Sequence, residues 1–416
     1  MLQIICRFTN ILLISLRTFV EIRIGLIPYR SLGRIAGNME YYLRSKALVS
    51  SSKKSFDILL SGTHPINYQI LKMISRNARL VRSDFIWNLL NKIQSTLLIE
   101  SDGSADSVDV SSWIDLSHSG FLVEWDIWQQ VGPQLSFTST EHAIGKKILM
   151  KLGIPDGQEY ICMHARDMDY TDSPDYQRDP TDPFSYSDFR DCDIATYIPA
   201  AEWLVEQGLW VIRVGHQAKD PINSTNSRII DYAFQARKQL EDPEFADVYL
   251  QAHCKFFLGC TAGVYYLSHV FDVPMAFVNM VPLAESGRSN YDLFILKKYW
   301  NVVEKRFMSF YEMVLRGADW NRLWHDQQKI IADEGIVIVD NTSDEILMLA
   351  QEMLSRLENS WVDLPNDSAL QGLFRDIFPD KHPMKEFPGY VGSEFLRQNE
   401  DLLKIRKDQM ETIICH

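Results

Sequence analysis

Apolar residues along this chain follow two alternating patterns. Short apolar runs bounded by turn residues predict buried strands, and apolar residues spaced three or four apart predict helices between them. The clearest example opens with a helical pattern at Asp247–His253. It continues through a strand at Lys255–Gly259, a helix at Val264–Phe271 and a strand at Met275–Val278. A strand, a helix and a second strand form a βαβ unit, which favours a parallel sheet.

The same alternation recurs in both halves of the sequence and predicts an α/β fold. Asp193 and Ser343 stand where two of the helices begin and are the predicted N-caps. Further strands are predicted at Glu21–Ile27, Phe56–Ser61, Tyr160–His164, Leu209–Val214 and Gly335–Val339. Further helices are predicted at Ile35–Leu43, Ile66–Arg76, Ser83–Gln94, Ser139–Leu152, Ile194–Glu206 and Ile346–Leu357.

The length of the chain, 416 residues, is enough for two α/β domains that each have a core. Glycine and proline interrupt the pattern at residues 153–157, so a domain boundary is predicted there. This gives an N-terminal domain over residues 1–152 and a C-terminal domain over residues 153–360. The remaining tail, residues 361–416, carries proline and charge but little periodicity.

The first 19 residues are apolar but are interrupted by Arg7, Asn10 and Arg17, which is too broken a run for a transmembrane span. No small-residue cleavage site follows, so a signal peptide is not predicted. Two interpretations remain for this segment. It is either a packed first helix or an amphipathic helix that rests on a membrane surface with its arginines at the headgroups.

The formal net charge of −13 argues against general nucleic-acid binding, which needs a basic surface. It leaves room for a nucleotide, because one local basic pocket can hold that ligand. The six cysteines are scattered and form no C-x-x-C pair, so neither a disulfide framework nor a zinc site is expected. This use of cysteine is typical of a reducing compartment such as the cytoplasm.

Three predicted strands of the second half end in residues that suit an anionic ligand. Ligands of parallel α/β sheets bind outside the carboxyl ends of the strands, so these residues are expected to face a common crevice. Arginine can bind two oxygens of a pyrophosphate at once, and the N–H groups that open a helix favour a phosphate. The residues are His164, Arg166 and Asp169 after the first strand, Arg213, Gly215 and His216 after the second, and Thr261, Ala262 and Gly263 after the third.

Each of these features also has a purely structural interpretation. Arg166 and Arg213 could pair with Asp167, Asp169 or Asp191 in an ion-pair network. The small residues at 261–263 could serve only to let a helix pack against a strand. Two D-x-D sequences, at residues 167–169 and 191–193, have a spacing that can hold a divalent cation, although Asp193 is better explained as a helix cap. A carboxylate here could instead act as a general base.

Two loops of the first half add further candidates. Gly33 follows the first strand, where another molecule could approach the backbone closely, and the alternative is a simple turn glycine. His64 follows the second strand, where it could contact a substrate or serve as a base. The alternative for His64 is a polar surface residue with no part in chemistry.

The motif H-x-R-x-x-D, present as His164, Arg166 and Asp169, resembles the motif of fucosyltransferase-type enzymes with the GT-B fold. The segment DVYLQAHCKFFLGCTAG, which ends at Gly263, resembles the donor segment of the same enzymes. From Arg30 to Pro282 the chain is most similar to bacterial glycosyltransferases of surface-polysaccharide gene clusters. The other segments that carry this similarity are RSLGRIAGNMEYYL, YIPAAEWLVEQGLWVIRVG and the run of Val278, Asn279 and Pro282.

The resemblance implies two Rossmann-like domains that face a central cleft, with the donor nucleotide sugar on the second domain. It implies that Arg166 holds the donor phosphates, that residues 261–263 contact a phosphate and that Asp247 contacts the base or ribose. The Gly33 loop would close over the cleft, and the base would be Asp169 or, from the first domain, His64. No metal or other cofactor is expected, because cationic side chains would offset the charge on the leaving nucleotide. Asp167 stands where many fucosyltransferases carry another residue, which leaves the donor sugar open.

The sequence therefore predicts a metal-independent glycosyltransferase. It would move a sugar from a nucleotide sugar to a lipid-linked or polysaccharide acceptor in cell-surface glycan synthesis, in the cytoplasm or peripherally at the inner membrane through residues 1–19. Two alternatives remain open. A nucleotide-sugar epimerase of the same fold would want a carboxylate pair and a histidine around the sugar, which the sequence does not show clearly. A non-catalytic partner in a polysaccharide assembly complex would bind a nucleotide without turnover, or not bind it.

Overall fold

The computed structural model describes residues 21–48, 55–103, 112–116, 125–167, 188–283, 289–316, 333–380 and 382–404, together with Ser15. The chain divides into two compact units, one formed by Met1–Gly120 and Asp126–His142 and the other by Phe121–Trp125 and Ala143–His416. The predicted amphipathic segment at residues 1–19 (Ser15 apart) and Asp169 lie outside the described residues. Within the described ranges, no helix combines the length and the apolar character needed to cross a bilayer.

Among the residues that the structure describes, the first unit is built on a parallel sheet of four strands with the order β3-β2-β1-β4. The chain steps outward from β1 to β3 and then returns to the other side of β1, which is half of a Rossmann arrangement. The strands are β1 (Glu21–Leu26), β2 (Ser55–Ser61), β3 (Arg79–Arg82) and β4 (Trp113–Ile114). The helices are α1 (Met39–Leu48), which follows a π-helical turn at Arg34–Asn38, α2 (Tyr68–Asn77), α3 (Asp84–Gly103) and α4 (Trp125–Gln130).

A buried ion pair ties α1 to the segment that follows α4. The side chains of Arg44 and Glu40 are fully buried, and Arg44 Nε lies 2.8 Å from Glu40 Oε1. Arg44 Nη1 also donates to the carbonyl oxygen of Val131 at 2.7 Å. Glu40 accepts the backbone N–H groups of Gln134 and Leu135 at 2.7 and 3.1 Å. Burial raises the pKa of Glu40, although Arg44 and these N–H groups oppose the shift. The carboxylate therefore depends on its partners to remain charged inside the unit.

The second unit carries the larger sheet. Its strands are β5 (Tyr160–His164), β6 (Trp210–Arg213), β7 (Ile229–Asp231), β8 (Phe257–Gly259), β9 (Met275–Met280), β10 (Leu293–Leu296), β11 (Lys298–Asn301), β12 (Arg306–Phe307), β13 (Ile336–Val339) and β14 (Tyr390–Val391). Seven of them pair in the order β14-β10-β9-β8-β5-β6-β7, all parallel. This is the Rossmann order with one added edge strand. The other three form an antiparallel sheet, β12-β11-β13.

Helices cover the larger sheet and share one core with its strands. They are α5 (Ser139–Lys151), α6 (Ile198–Glu206), α7 (Pro243–Ala252), α8 (Tyr266–His269), α9 (Phe310–Leu315), α10 (Ser343–Leu357), α11 (Asp367–Asp376) and α12 (Ser393–Gln398). Strands β8, β9 and β10 are buried at every position, as strands covered on both faces are. The parallel sheets of the two units confirm the predicted α/β class and its Rossmann-like strand order.

The starts of two helices show where a local sequence pattern predicted the N-cap correctly and where it did not. The helix predicted at Ile194–Glu206 begins as a 3-10 turn whose N-cap is Asp193, and the Asp193 carboxylate accepts the N–H of Ala195 at 2.8 Å, as predicted. The cap of α10 is Thr342 and the prediction of Ser343 was wrong. Thr342 and Glu345 form a capping box, in which each side chain accepts the backbone N–H of the other, and this fixes the start of the helix.

The helix predicted at Val264–Phe271 is much shorter in the structure. It consists of a 3-10 turn at Gly263–Tyr265 followed by the four residues of α8. A Schellman motif ends it, because the N–H groups of Asp272 and Val273 bond back to the carbonyls of His269 and Ser268. Asp272 has the positive φ, 57°, that this motif requires.

The described part of the predicted tail is folded into the second unit. Strand β14 pairs with β10, and the ring of Phe374 in α11 lies edge-on to Phe294 of β10 at 5.9 Å between centroids. The tail does carry a short helical pattern, because Leu370, Phe374 and Ile377 are buried at spacings of four and three residues, and sequence reasoning missed it.

The change of unit at His142 lies within α5, earlier than the boundary predicted after residue 152. The later turns of α5 pack on the second unit, with Ile148 and Leu149 against its core. Gly145 faces Tyr249 of α7 so closely that a Cβ would lie 2.1 Å from the Tyr249 ring. The later turns of α5 therefore belong to the core of the second unit. A boundary placed at the glycine and proline residues after the helix comes too late in the sequence.

Replacing Gly145 with alanine is expected to destabilise the second unit by about 1–3 kcal/mol, because the Tyr249 ring or the helix must move to admit the new methyl group. Alanine is otherwise the better helix former by about 1 kcal/mol. The matched control is Gly372→Ala in α11, where a Cβ would meet no atom within 4 Å. A gain of about 0.5–1 kcal/mol is expected there. Urea unfolding of both variants measures the difference, and equal effects would contradict the packing explanation.

Candidate active site

The strand order creates a topological switch point between β5 and β8. From β5 the chain moves outward to β6 and β7 and then returns to β8 on the other side, so the loops after β5 and β8 diverge. The two strands approach closely at this point, since a Cβ on Gly259 would lie 2.8 Å from the carbonyl oxygen of His164. Ligands of such sheets bind at this place, outside the carboxyl ends of the strands.

Arg166 follows β5 at the switch point and is held through its backbone and its side chain. Its N–H donates to Sγ of Cys260, which follows β8, at 3.2 Å. Its guanidinium Nη1 pairs with the carboxylate of Asp191, and its carbonyl oxygen accepts the N–H of Cys192 at 3.0 Å. The side chain is 11% exposed. A cation is therefore fixed, mostly out of water, where the two loops separate.

Lys297 binds the backbone of the segment that contains Asp191, the partner of Arg166. It follows β10 directly, and its side chain is 2% exposed. The ammonium group donates to the carbonyl oxygens of Phe189 and Asp191 at 2.8 and 2.6 Å and pairs with Asp340 at 2.7 Å. All three ammonium protons thus have an acceptor. Arg166, Asp191 and Lys297 form one connected network at the carboxyl ends of β5 and β10.

The ring of His164, the last residue of β5, is neutral at physiological pH. Burial lowers the pKa of His164 to about 4. Nδ1 lies 2.9 Å from the carbonyl oxygen of Val214, and because a carbonyl only accepts, Nδ1 carries the proton and Nε2 the lone pair. Gly215 follows with φ +151°, and a Cβ there would lie 3.5 Å from His164 Nδ1. The exits of β5 and β6 are thereby joined.

Arg213, at the end of β6, is built into an ion-pair network. Its side chain is 3% exposed, and it lies 3.6 Å from Asp167 and 3.5 Å from Asp231. Nη1 also donates to the carbonyl oxygen of Asp220 at 2.6 Å. Asp167 in turn accepts the N–H of Lys219 at 3.1 Å. These contacts form an ion-pair network, which is the structural interpretation that the sequence left open for Arg213. They join the loops after β5, β6 and β7.

The turn after β8 presents backbone groups more than side chains. Thr261 is 1% exposed, and its hydroxyl donates to Sδ of Met280 at 3.5 Å. Ala262 is also buried, whereas Gly263 is exposed at the start of the 3-10 turn. Because α8 has only four residues, few peptide dipoles align behind this turn. Contact with a phosphate here would depend on individual N–H groups.

Asp247 lies within α7, where its carboxylate is engaged by two neighbours. Arg237 donates through Nε at 2.9 Å to Oδ1 and through Nη2 at 2.8 Å to Oδ2. The hydroxyl of Tyr232 donates to Oδ1 at 2.7 Å, and burial together with Asp247 raises the pKa of Tyr232. The contacts give Asp247 a structural part, and its contact with a base or ribose stays a prediction.

The two candidates of the first unit have different environments. Gly33 is buried and has φ −62°, a value open to any residue, directly before the π-helical turn. His64 is exposed after β2, and its Nδ1 lies 2.9 Å from Oγ1 of Thr63. The roles predicted for both residues stay predictions.

The aspartates of the second D-x-D sequence have separate partners: Asp191 pairs with Arg166, and Asp193 caps the following helical turn. Within the described ranges, no three or more His, Cys, Asp or Glu side chains are grouped so that they could hold a metal ion. The described cysteines are free thiols: Cys162, Cys192, Cys254 and Cys260.

The structure thus brings His164, Arg166, Arg213 and Gly215 together with the turn after β8, and it leaves Asp247 on a helix. Sequence reasoning missed Lys297 and the contribution of Cys260. Lys297 could have been found, because a lysine directly after a fully apolar parallel strand sits at the edge where ligands bind. No local pattern marks Cys260, because its contact with the N–H of Arg166 depends on β8 lying beside β5 in the sheet.

No protein-family model matches the sequence, and no curated protein sequence matches it. Among solved structures, the chain is similar to a glycosyl transferase family 9 protein from Veillonella parvula, with 10% identity over 80% of this chain and 97% of that chain and a TM-score of 0.39. It is also similar to the ADP-heptose lps heptosyltransferase II of E. coli, with 11% identity over 62% of this chain and 84% of that chain and a TM-score of 0.36.

A third similar structure is the E. coli heptosyltransferase WaaC with ADP, at 9% identity over 76% of this chain and 98% of that chain, with a TM-score of 0.32. TM-scores of this size are too low to establish a shared fold.

Proposed function

We propose that this chain is a glycosyltransferase of the GT-B type. It moves a sugar from a nucleotide-sugar donor to a lipid-linked or polysaccharide acceptor in cell-surface glycan synthesis, and the donor diphosphate binds at the switch point between β5 and β8. The position of Arg166 carries the proposal. A fixed guanidinium at the edge of a Rossmann-type sheet is suited to a diphosphate, which it can bind through two oxygens. The H-x-R-x-x-D motif that contains it adds sequence support.

The surroundings of Arg166 fit the same ligand. The network of Asp191 and Lys297 fixes the guanidinium before the donor arrives, so little ordering is needed on binding. Gly263 is exposed at the start of the 3-10 turn, and in this proposal its backbone N–H donates to a phosphate. His164 presents Nε2 as an acceptor, which suits a hydroxyl group of the donor and not a further phosphate.

Transfer breaks the bond between the anomeric carbon of the sugar and the diphosphate oxygen. The electron pair stays with the diphosphate, and negative charge grows there in the transition state. Arg166 stabilises that charge because it is already in place and mostly out of water. The acceptor hydroxyl forms the new bond to the anomeric carbon, and its proton passes to a general base. In this proposal protein cations, not a metal ion, offset the charge of the leaving group.

The experiment is a thermal-shift screen of the full chain with GDP, UDP, dTDP, ADP and CMP and their common sugars. A ligand that binds only the folded state raises the melting temperature, and at a hundredfold excess over Kd the expected shift is about 5 °C. The nucleotide sugar with the largest shift is then tested for turnover by release of its nucleotide.

The control variant is Arg228→Ala, which removes an exposed arginine of the second unit. It is expected to leave the ligand-induced rise in melting temperature unchanged. A chelator is expected to leave turnover unchanged as well. Absence of any shift would overturn the proposal, and binding without turnover would instead indicate a non-catalytic partner. Loss of turnover with the chelator would overturn the metal-free mechanism.

A further inference from the structure

Two cysteines of the second unit hold the backbone of Arg166. The Arg166 N–H donates to Sγ of Cys260, which directly follows β8, at 3.2 Å. The Arg166 carbonyl oxygen accepts the N–H of Cys192 at 3.0 Å. The side chains of Cys192 and Cys260 also hydrogen-bond to each other, so the two sulfur atoms are neighbours. A pair of thiols is therefore in direct contact with the residue that carries the proposed diphosphate site.

The hydrogen bonds around Cys192 have one direction. The buried hydroxyl of Tyr197 contacts Sγ of Cys192 and Nδ2 of Asn279, each at 3.3 Å. Because an amide NH2 group only donates, the hydroxyl accepts from Asn279 and gives its own proton to Cys192. The thiol proton of Cys192 is then directed to Cys260, whose sulfur also accepts the Arg166 N–H. Two donors thus converge on the sulfur of Cys260.

This arrangement favours a thiolate at Cys260. The hydrogen bond from Cys192, the N–H of Arg166 and the charges of Lys297 and Arg166 lower the pKa of Cys260, although burial opposes the shift. The contact with Cys260 and burial raise the pKa of Cys192, which keeps its proton. The thiolate is the form of cysteine that reacts with oxidants. Cys260 is buried and Cys192 only partly exposed, so the oxidant has to be as small as a peroxide.

A second pair of neighbouring thiols in the same unit lacks these features. Cys162 of β5 and Cys254, which follows α7, are in contact through their side chains. Their thiols donate to carbonyl oxygens, Cys162 to Leu250 at 3.4 Å and Cys254 to Gln251 at 3.3 Å. Burial and the contact with Cys254 raise the pKa of Cys162. The chain therefore contains a matched pair of thiols that is held in the unreactive, protonated form.

We propose that Cys192 and Cys260 are a peroxide-sensitive thiol pair, and that their oxidation to a disulfide releases Arg166 from its backbone contacts. The modification site stands on the contacts of the two cysteines, and its effect on the donor rests on the glycosyl transfer proposed above. In the disulfide the Cys260 sulfur carries no negative charge and is a weaker acceptor for the Arg166 N–H. Disulfides in a reducing compartment are transient and regulatory, and this one would be reversible.

The oxidation consumes one molecule of hydrogen peroxide. The Cys260 thiolate attacks one peroxide oxygen, the O–O bond breaks, and the leaving hydroxide takes up the proton that Cys260 released. Cys260 then carries a sulfenic acid. The Cys192 sulfur attacks the sulfenic sulfur, the S–O bond breaks, and the leaving hydroxide takes up the thiol proton of Cys192. The two thiols lose two electrons and two protons, and the peroxide is reduced to two molecules of water.

The test treats the full chain with hydrogen peroxide, unfolds it, blocks free thiols with iodoacetamide and maps disulfides by mass spectrometry of a non-reduced digest. We expect a peptide that links Cys192 to Cys260 and separates again with dithiothreitol. Cys162 and Cys254 are expected to be oxidised about tenfold more slowly or less. In Cys192→Ser, a sulfenic acid is expected to remain on Cys260 and to react with dimedone. Oxidation of Cys192 and Cys260 no faster than that of Cys162 and Cys254 would overturn the proposal.

A second measurement tests the effect on Arg166. Oxidation is expected to raise the Kd of the nucleotide that binds best about tenfold, and dithiothreitol is expected to restore it. The control is the double variant Cys192→Ser with Cys260→Ser, whose Kd is expected to be the same before and after peroxide treatment. If the reduced native chain binds no nucleotide, the proposed function fails, while the disulfide map still decides on the thiol pair. If the disulfide forms and the Kd does not change, the effect on Arg166 is wrong.

Discussion

Replacing Arg166 with alanine is expected to lower kcat/KM for nucleotide-sugar turnover by about two to three orders of magnitude. Removal of one preorganised charge stabiliser has an effect of this size in other enzymes. Arg166 suits that part because its backbone and its guanidinium are both held before a ligand binds. Arg166→Lys keeps the charge but not the planar fork, so it is expected to recover only part of the loss. Steady-state release of the nucleotide measures both variants.

The Arg166 variants need a control for the carboxylate left behind. Asp191 is 20% exposed, and without its cation it would be repelled by a bound diphosphate. The double variant Arg166→Met with Asp191→Asn removes that charge. If the stranded carboxylate caused the loss, the double variant would recover activity. If Arg166 binds the diphosphate, the double variant stays as impaired as Arg166→Ala, and recovery would contradict the assigned role.

Replacing Arg44 with methionine is expected to lower the stability of the first unit by about 3–5 kcal/mol. The change leaves the fully buried carboxylate of Glu40 without its cation and removes the donor to the Val131 carbonyl. Urea unfolding followed by hydrogen exchange in peptides of α1 reports on this unit separately. Lys146→Met is the matched control, because the Lys146–Asp156 pair has exposed side chains and is expected to contribute less than about 1 kcal/mol.

The stability deficit of Arg44→Met is expected to depend on pH. Burial already raises the pKa of Glu40, so near and above its ordinary pKa the folded state holds more protons than the unfolded state. Stability therefore falls as pH rises through that interval, and loss of Arg44 widens the interval. The deficit relative to the native chain should be larger at about pH 8 than at about pH 5. Adding Glu40→Gln should remove the pH dependence, and a deficit that persists unchanged at low pH would contradict this explanation.

Local pattern was sufficient for the elements that are buried on both faces. Strand β5 has its predicted bounds, Tyr160–His164, because an apolar run between turn residues has few other structures open to it. The cap at Asp193 was predictable for a similar reason, since its oxygen meets an N–H two residues away. Thr342 was also predictable in principle, because Glu345 three residues later completes the capping-box signature.

The candidate site was predictable only in part. That Arg166 and the turn after β8 lie at neighbouring strand ends follows from the Rossmann order, which the βαβ pattern suggested. The partners of Arg166 did not follow, because Lys297 reaches the carbonyl of Asp191 across 106 residues of sequence. The positions of Asp247 and Arg213 show the same limit. Their charges suit a ligand, but each is paired with a side chain of another segment. Arg237 pairs with Asp247, and Asp231 pairs with Arg213.

The outermost strands of the large sheet protect its interior from other chains. The edges are β7, with three residues, and β14, with two, whereas β10 beside β14 is apolar and buried at all four positions. Short edges offer little backbone for intermolecular pairing, and long apolar ones invite it. Shortening the chain before β14 would leave β10, whose four residues are all apolar, as an edge strand, so the C-terminal segment covers an apolar strand of the sheet.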